Sequence, residues 1–149
     1  MRPYRNKASV LALFPRPFFS RLMTTETIET FFQKYASAAE AMDAEALASM
    51  HYTPCIKVHG DGRIECLHTH ENIRAFFEEL RTKYAERDHG HSRRSDLLET
   101  PIGSAAVLAS LTWEQFRKNG TLYRRFRRSY NLVRIGSNWK ILVAIAHRD

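Results

Sequence analysis

The sequence predicts an α+β fold: a curved antiparallel sheet forming a cone, with three helices packed on its concave face. Three observations carry this. Residues 104–146 hold three β-rich apolar runs separated only by Arg117-Lys118-Asn119-Gly120 and Gly136-Ser137-Asn138, which makes an antiparallel meander of unusually long strands. Upstream stretches place apolar residues at helical spacing. A long sheet with one apolar face needs cover, and only those helices can supply it.

Each element has its own signal. Ile28, Phe31, Phe32, Tyr35, Ala39 and Met42 mark one face of a first helix over residues 24–42, with Glu26 and Glu29 near its positive end. Asp43 is placed to cap a second helix, residues 44–50, and Thr53-Pro54 interrupts the chain after it. Residues 55–59 and 63–68 read as a hairpin around Gly60-Asp61-Gly62. Thr69 caps a third helix whose buried stripe is Ile73, Phe76, Phe77, Leu80 and Tyr84. It runs out at Asp88-His89-Gly90, and residues 91–99 form a polar strand before the meander. A bent sheet covered in this way encloses a cone open at one end, a ready site for a small apolar ligand.

At 149 residues the chain suits one domain. No apolar run approaches the ~20 residues of a bilayer span. Two cysteines, Cys55 and Cys66, are too few for a disulfide framework and fit a reducing, cytoplasmic setting, although they can also face each other across the hairpin. The net charge of +7 is concentrated: five basic and no acidic residues fall in positions 1–22. Nucleic-acid binding is therefore not implied by the overall charge. Residues 1–23 are read as an unstructured basic leader and residues 24–149 as the domain. The leader fits a mitochondrial presequence, or an upstream start with Met23 opening the domain proper.

Phe31-Phe32 and Tyr35 running into Ala41-Met42-Asp43-Ala44-Glu45-Ala46-Leu47, with Ser129-Tyr130-Asn131-Leu132-Val133 and Asn138-Trp139-Lys140-Ile141 near the end, resemble the SnoaL-like, nuclear transport factor 2-like superfamily. That superfamily includes ketosteroid isomerases, scytalone dehydratase and polyketide cyclases. Tyr35 stands eight residues before Asp43, as the isomerase tyrosine stands before its capping aspartate. The isomerase base position, sixteen residues beyond that aspartate, falls on His59, and the second oxyanion donor falls at or near Tyr130. Both carboxylates of the isomerase are thus replaced, which argues against steroid isomerisation and leaves acid–base chemistry open.

The resemblance implies a cofactor-free pocket enzyme of isomerase, dehydratase or cyclase type acting on a small, largely apolar organic molecule. His59 would be the acid/base, because an imidazole takes or gives a proton near neutral pH. Tyr35 and Tyr130 would donate to a developing oxyanion. Trp113, Trp139 and Val143 would form the walls, and His147 would reach the mouth. The alternative is a non-catalytic ligand-binding or protein-interaction module, with Tyr35 in the core, Tyr130 structural and His59 capping an exposed hairpin. His59 alternates with Lys57 and Cys55, not with Ile56 and Val58, which leaves its inward direction open.

Homodimerisation through the sheet is expected by analogy, with no nucleic-acid or membrane partner and no cofactor. His68-Thr69-His70 and His89-Gly90-His91 lack the converging third ligand that a metal needs, so no metal is expected. In the run Arg124-Arg125-Phe126-Arg127-Arg128, cross-strand pairing with Glu114 and Glu99 is expected. One arginine remains a candidate for a substrate carboxylate. Arg127 is nearest to Tyr130, yet odd spacing sets the two on opposite faces unless a bulge intervenes.

Overall fold

The computed structural model describes residues 25–148, so the leader lies outside the described residues. Three helices, α1 (Ile28–Glu40), α2 (Ala44–Ser49) and α3 (His70–Glu86), accompany six strands. These are β1 (His51–Val58), β2 (Ile64–Leu67), β3 (His89–Ile102), β4 (Ala106–Arg117), β5 (Leu122–Ile135) and β6 (Asn138–Ala146). One curved, unclosed sheet takes the order β2-β1-β6-β5-β4-β3. Every pairing is antiparallel except β1 with β6, which runs parallel. None of the described helices is long and apolar enough to cross a membrane.

Asp43 and Thr69 cap α2 and α3 as the sequence implies, whereas α1 starts at Ile28, capped by Thr27, and not at residue 24. Thr27, Asp43 and Thr69 each accept a backbone N–H three residues on, at 3.0–3.1 Å. α1 is shorter than its apolar pattern because Met42, with φ 51°, takes the chain out of the helical region. The buried face of α1 is Ile28, Phe31, Phe32 and Tyr35, and it joins a core with Leu47, Ile73, Phe77, Leu111, Tyr130, Leu132 and Ile141. Trp139 ties the start of α1 to β6, because its indole N–H donates to Glu26 O at 3.0 Å and its backbone N–H to the Glu26 carboxylate at 3.0 Å.

β1 begins at His51, four residues earlier than the hairpin pattern implies, and carries Pro54 inside it. Its register against β6 slips between His51 and Ile56, which lets a proline sit in a strand without breaking the sheet. β3 likewise extends through Pro101 to Ile102, tolerable because it is an edge strand.

The irregularity with the widest effect lies in β6. Leu132 pairs with Ile141 but Asn131 pairs with Val143, so Leu142 is an extra residue on that strand. Before the bulge Trp139 and Ile141 face the core; after it Ala144 does. Strict alternation would place Val143, Ile145 and His147 inside. The bulge sends them to the other face instead.

Gly90 illustrates how tightly the far end of the sheet is built. A Cβ there would lie 2.8 Å from Arg117 O and 2.9 Å from Lys118 Cα. Both are backbone atoms, so the β3–β4 hairpin must shift to make room. Gly90→Ala is expected to cost about 1–3 kcal/mol of stability, read as a lower urea midpoint. An unchanged midpoint would show that this end of the sheet yields freely.

Candidate active site

A cavity of about 300 Å³ opens between the inner face of the sheet and the helices. Tyr35 enters from α1, Phe76, Phe77, Leu80 and Tyr84 from α3, and Lys57 and His59 from β1 and the residue after it. Trp113 and Gln115 come from β4, Arg124, Phe126, Arg128 and Tyr130 from β5, and Ala144 and Ala146 from β6. The pattern on β4 and β5 is strand parity: Gln115 pairs with Arg124, Trp113 with Phe126 and Ala109 with Tyr130.

The predicted residues divide. Tyr35, His59, Tyr130 and Trp113 all line this cavity. Trp139, Val143 and His147 do not. Trp139 is committed to α1, as described above. Val143 pairs with Ile56 on the outer face, and His147 bonds Ser129 Oγ through Nε2 at 2.7 Å. The β6 bulge is the physical reason for the last two.

Tyr35 is buried against the rings of Phe31, Phe32, Trp113 and Tyr130, with centroids 6.1–6.4 Å away. Burial holds its phenol well above the usual tyrosine pKa, with Tyr130 adding to the effect. The Tyr130 hydroxyl accepts from the Trp113 indole N–H at 3.0 Å. Burial raises its pKa too, against the opposing charge of Arg128. Both phenols are therefore protonated at neutral pH, and each has a proton to donate. His59 Nε2 lies 2.9 Å from the Glu65 carboxylate. The carboxylate makes that nitrogen the donor and leaves Nδ1 outside this pair.

Sequence reasoning missed the most unusual group. Lys57 is only 6 % exposed, although it stands between apolar Ile56 and Val58. Its Nζ donates to His51 Nε2 at 2.8 Å and lies 5.1–5.3 Å from the centres of the Phe76 and Phe77 rings. His51 Nδ1–H donates to Leu47 O at 2.7 Å, which fixes the tautomer. Burial, and then the charge of Lys57, hold His51 well below the usual histidine pKa. Burial, followed by the charge of Arg128, brings Lys57 down to about 7. The available signal was parity: Lys57 alternates with buried Cys55 and with His59. Both thiols are free, and because Cys55 pairs with Leu67 while Cys66 pairs with Ile56, they lie on opposite faces of the hairpin and not across from each other.

The arginine run splits as alternation requires. Arg125 and Arg127 face outward, Arg125 within 3.9 Å of Glu114 and Arg127 donating to Ser110 Oγ at 2.9 Å and Thr112 Oγ1 at 3.2 Å. Arg127 is thus excluded as a cavity residue, and no bulge intervenes between it and Tyr130. Arg128 takes that place. The histidine pairs are spent locally: His70 on Glu45 at 2.8 Å, His89 on Tyr123 at 2.8 Å, and His91 stacked on Phe116.

Residues 25–149 match a family model described as NTF2-like protein (DUF6841). None of the curated proteins matches the chain in sequence. Among solved structures, Aln2 from a Streptomyces species is similar with 13% identity, TM-score 0.68, and coverage of 82% of this chain and 88% of that one. A protein of unknown function with a cystatin-like fold from Nostoc punctiforme is similar with 11% identity, TM-score 0.68, and the same coverage of 82% and 88%. A putative scytalone dehydratase from Novosphingobium aromaticivorans has 12% identity, TM-score 0.63, and coverage of 80% and 79%. At such identities the likeness is one of fold.

Proposed function

Since this chain belongs to the NTF2-like protein (DUF6841) family, we propose that its cavity is the active site of a cofactor-free isomerase, dehydratase or cyclase. The substrate is a small, largely apolar organic molecule. The observation that carries the reading is convergence: an aromatic-walled cavity receives both a carboxylate-held imidazole and two protonated phenols. The putative scytalone dehydratase among the structural neighbours supports the dehydratase branch.

In this mechanism Nδ1 of His59 removes a proton from a carbon beside a carbonyl. The Tyr35 and Tyr130 hydroxyls donate to the oxygen as negative charge grows there. His59 then returns the proton to another carbon, or to a departing hydroxyl. Glu65 stabilises the imidazolium between the two steps.

Pairing of two copies through the outer sheet face belongs to the same proposal. Ile56, Val143, Asn131 and Leu108 form one continuous cross-strand row there. Ile56 and Leu108 are each 37% exposed. The alternative, a non-catalytic ligand-binding or interaction module, draws on that row and on the same cavity.

Thermal-shift screening of flat, oxygenated aromatic compounds supplies candidate substrates, and turnover of the hits decides between the readings. The double variant Tyr35→Phe with His59→Ala is expected to lose roughly 10²–10⁴-fold in rate while melting close to the parent. Lost stability with unchanged turnover would assign these side chains to packing instead.

A further inference from the structure

Charge inside the cavity is out of balance. Its two lining carboxylates are engaged, Glu65 by His59 at 2.9 Å and Glu79 by Lys83 at 2.7 Å. Among the described residues, Lys57, Arg124 and Arg128 line the same cavity with no carboxylate partner. Of the 16 acidic residues in the chain, only Asp149 lies outside the described residues.

Of the three cations, Lys57 is buried, Arg128 is half-buried and Arg124 is exposed. A cation withdrawn from water without a counter-charge leaves its desolvation uncompensated. Arg128 lies beside the phenols of Tyr130, Tyr35 and Tyr84. Its guanidinium is 5.1 Å from the centre of the Phe126 ring, and that of Arg124 is 4.4 Å from it. Neutral phenols and an aromatic face do not neutralise a guanidinium.

A second orphan points the same way. Gln115 is 2 % exposed, and its Nε2 donates to the Tyr84 hydroxyl at 2.6 Å. Its Oε1 is buried without a partner. Whichever way the amide is turned, one of its polar atoms is left for a guest.

We propose that the cavity binds an organic anion, a flat apolar molecule whose carboxylate lies between the Arg128 guanidinium and the Lys57 ammonium. The Gln115 amide meets a second polar group on the same molecule. This rests on the cavity being a small-molecule site, and it names the class of molecule. A guanidinium forks onto a carboxylate with two parallel hydrogen bonds, and a neighbouring ammonium adds a point charge.

The anion also relieves the repulsion between the two cations, so its binding favours the charged form of Lys57. The groups facing Lys57 are His51 and Cys55 on its own strand, Glu65 from β2, Arg128 from β5 and the Phe76 and Phe77 rings from α3. Affinity is therefore expected to fall as pH rises from 7 to 9.

Tryptophan fluorescence titration of the full chain with 2-naphthoate and with its neutral isostere 2-naphthamide tests the proposal. The acid is expected to bind at least ~10-fold more tightly at pH 6.5 and low salt, each tenfold being about 1.4 kcal/mol. Arg128→Met is expected to abolish the preference for the acid, bringing the two affinities together; a preference that survives the substitution would overturn the role of Arg128. Equal or tighter binding of the amide by the unmodified protein would overturn the anion assignment and leave the small-molecule site standing. Binding of neither probe would overturn both. The comparison in the unmodified chain needs no variant, so a misfolded Arg128→Met does not spoil it.

Discussion

Phe32→Ala is expected to cost about 3–5 kcal/mol of stability, enough to consume much of what a domain of this size possesses. Phe32 is fully buried, with its ring 5.2 Å from that of Phe31 and 5.1 Å from that of Tyr130. It therefore joins α1 to the inner face of β5. Removing it leaves a void that rigid aromatic neighbours are poorly able to fill. The melting temperature is expected to drop on the order of 10–20 °C, with Phe32→Leu recovering part of the loss. A drop of only a few degrees would mean that α1 settles onto the sheet without it.

The stability of the unmodified chain is expected to climb by about 1.5 kcal/mol between pH 7 and 8.5, and Lys57→Met is expected to flatten that climb. Lys57 titrates at about 7 when folded, whereas a lysine in the unfolded chain titrates near ~10.4. Above pH 7 the unfolded chain binds more protons than the folded one, so stability rises with pH.

Two neighbours bound the useful window. His51, depressed by burial and by Lys57, contributes stability that is present above the unfolded histidine pKa of about 6.5 and lost in acid. Cys55, raised by burial, works in the opposite sense above an unfolded thiol pKa of about 8.5. Urea midpoints at pH 7.0, 7.5, 8.0 and 8.5 for both proteins provide the check. Parallel slopes would show that the Lys57 ammonium is solvated within the cavity and carries no burial cost.

Helix caps and strand parity explain why the architecture was legible in the sequence. Asp43 and Thr69 each act through a local bond to a backbone N–H three residues away, so short-range chemistry sets those two helix starts. Thr27 does the same for α1, four residues beyond the start that the sequence pattern implies. The inward position of Tyr35 followed from helical spacing, and that of Trp113 from alternation within a regular strand. Outward pairing of Arg125 with Glu114 needed only the β4–β5 register.

What escaped were features set by long-range geometry. A lysine between isoleucine and valine reads as solvent-facing until β1 is seen to turn its Cys55–Lys57 side inward. Arg128 looked like one charge in a solvated run, and only the sheet's curvature encloses it. Val143 and His147 were assigned inward by counting in twos along β6. That count fails across Leu142, where the sequence carries no glycine or proline to announce the bulge.

That single surplus residue decides what kind of object the cone is. Counted strictly from Ile141, the cavity floor would be tiled by Val143 and Ile145. Shifted by one, it is tiled by Ala144 and Ala146, and the branched side chains are exported. The same composition, read one position out of phase, would narrow the chamber. The cavity is thus encoded here in phase, and only secondarily in residue type.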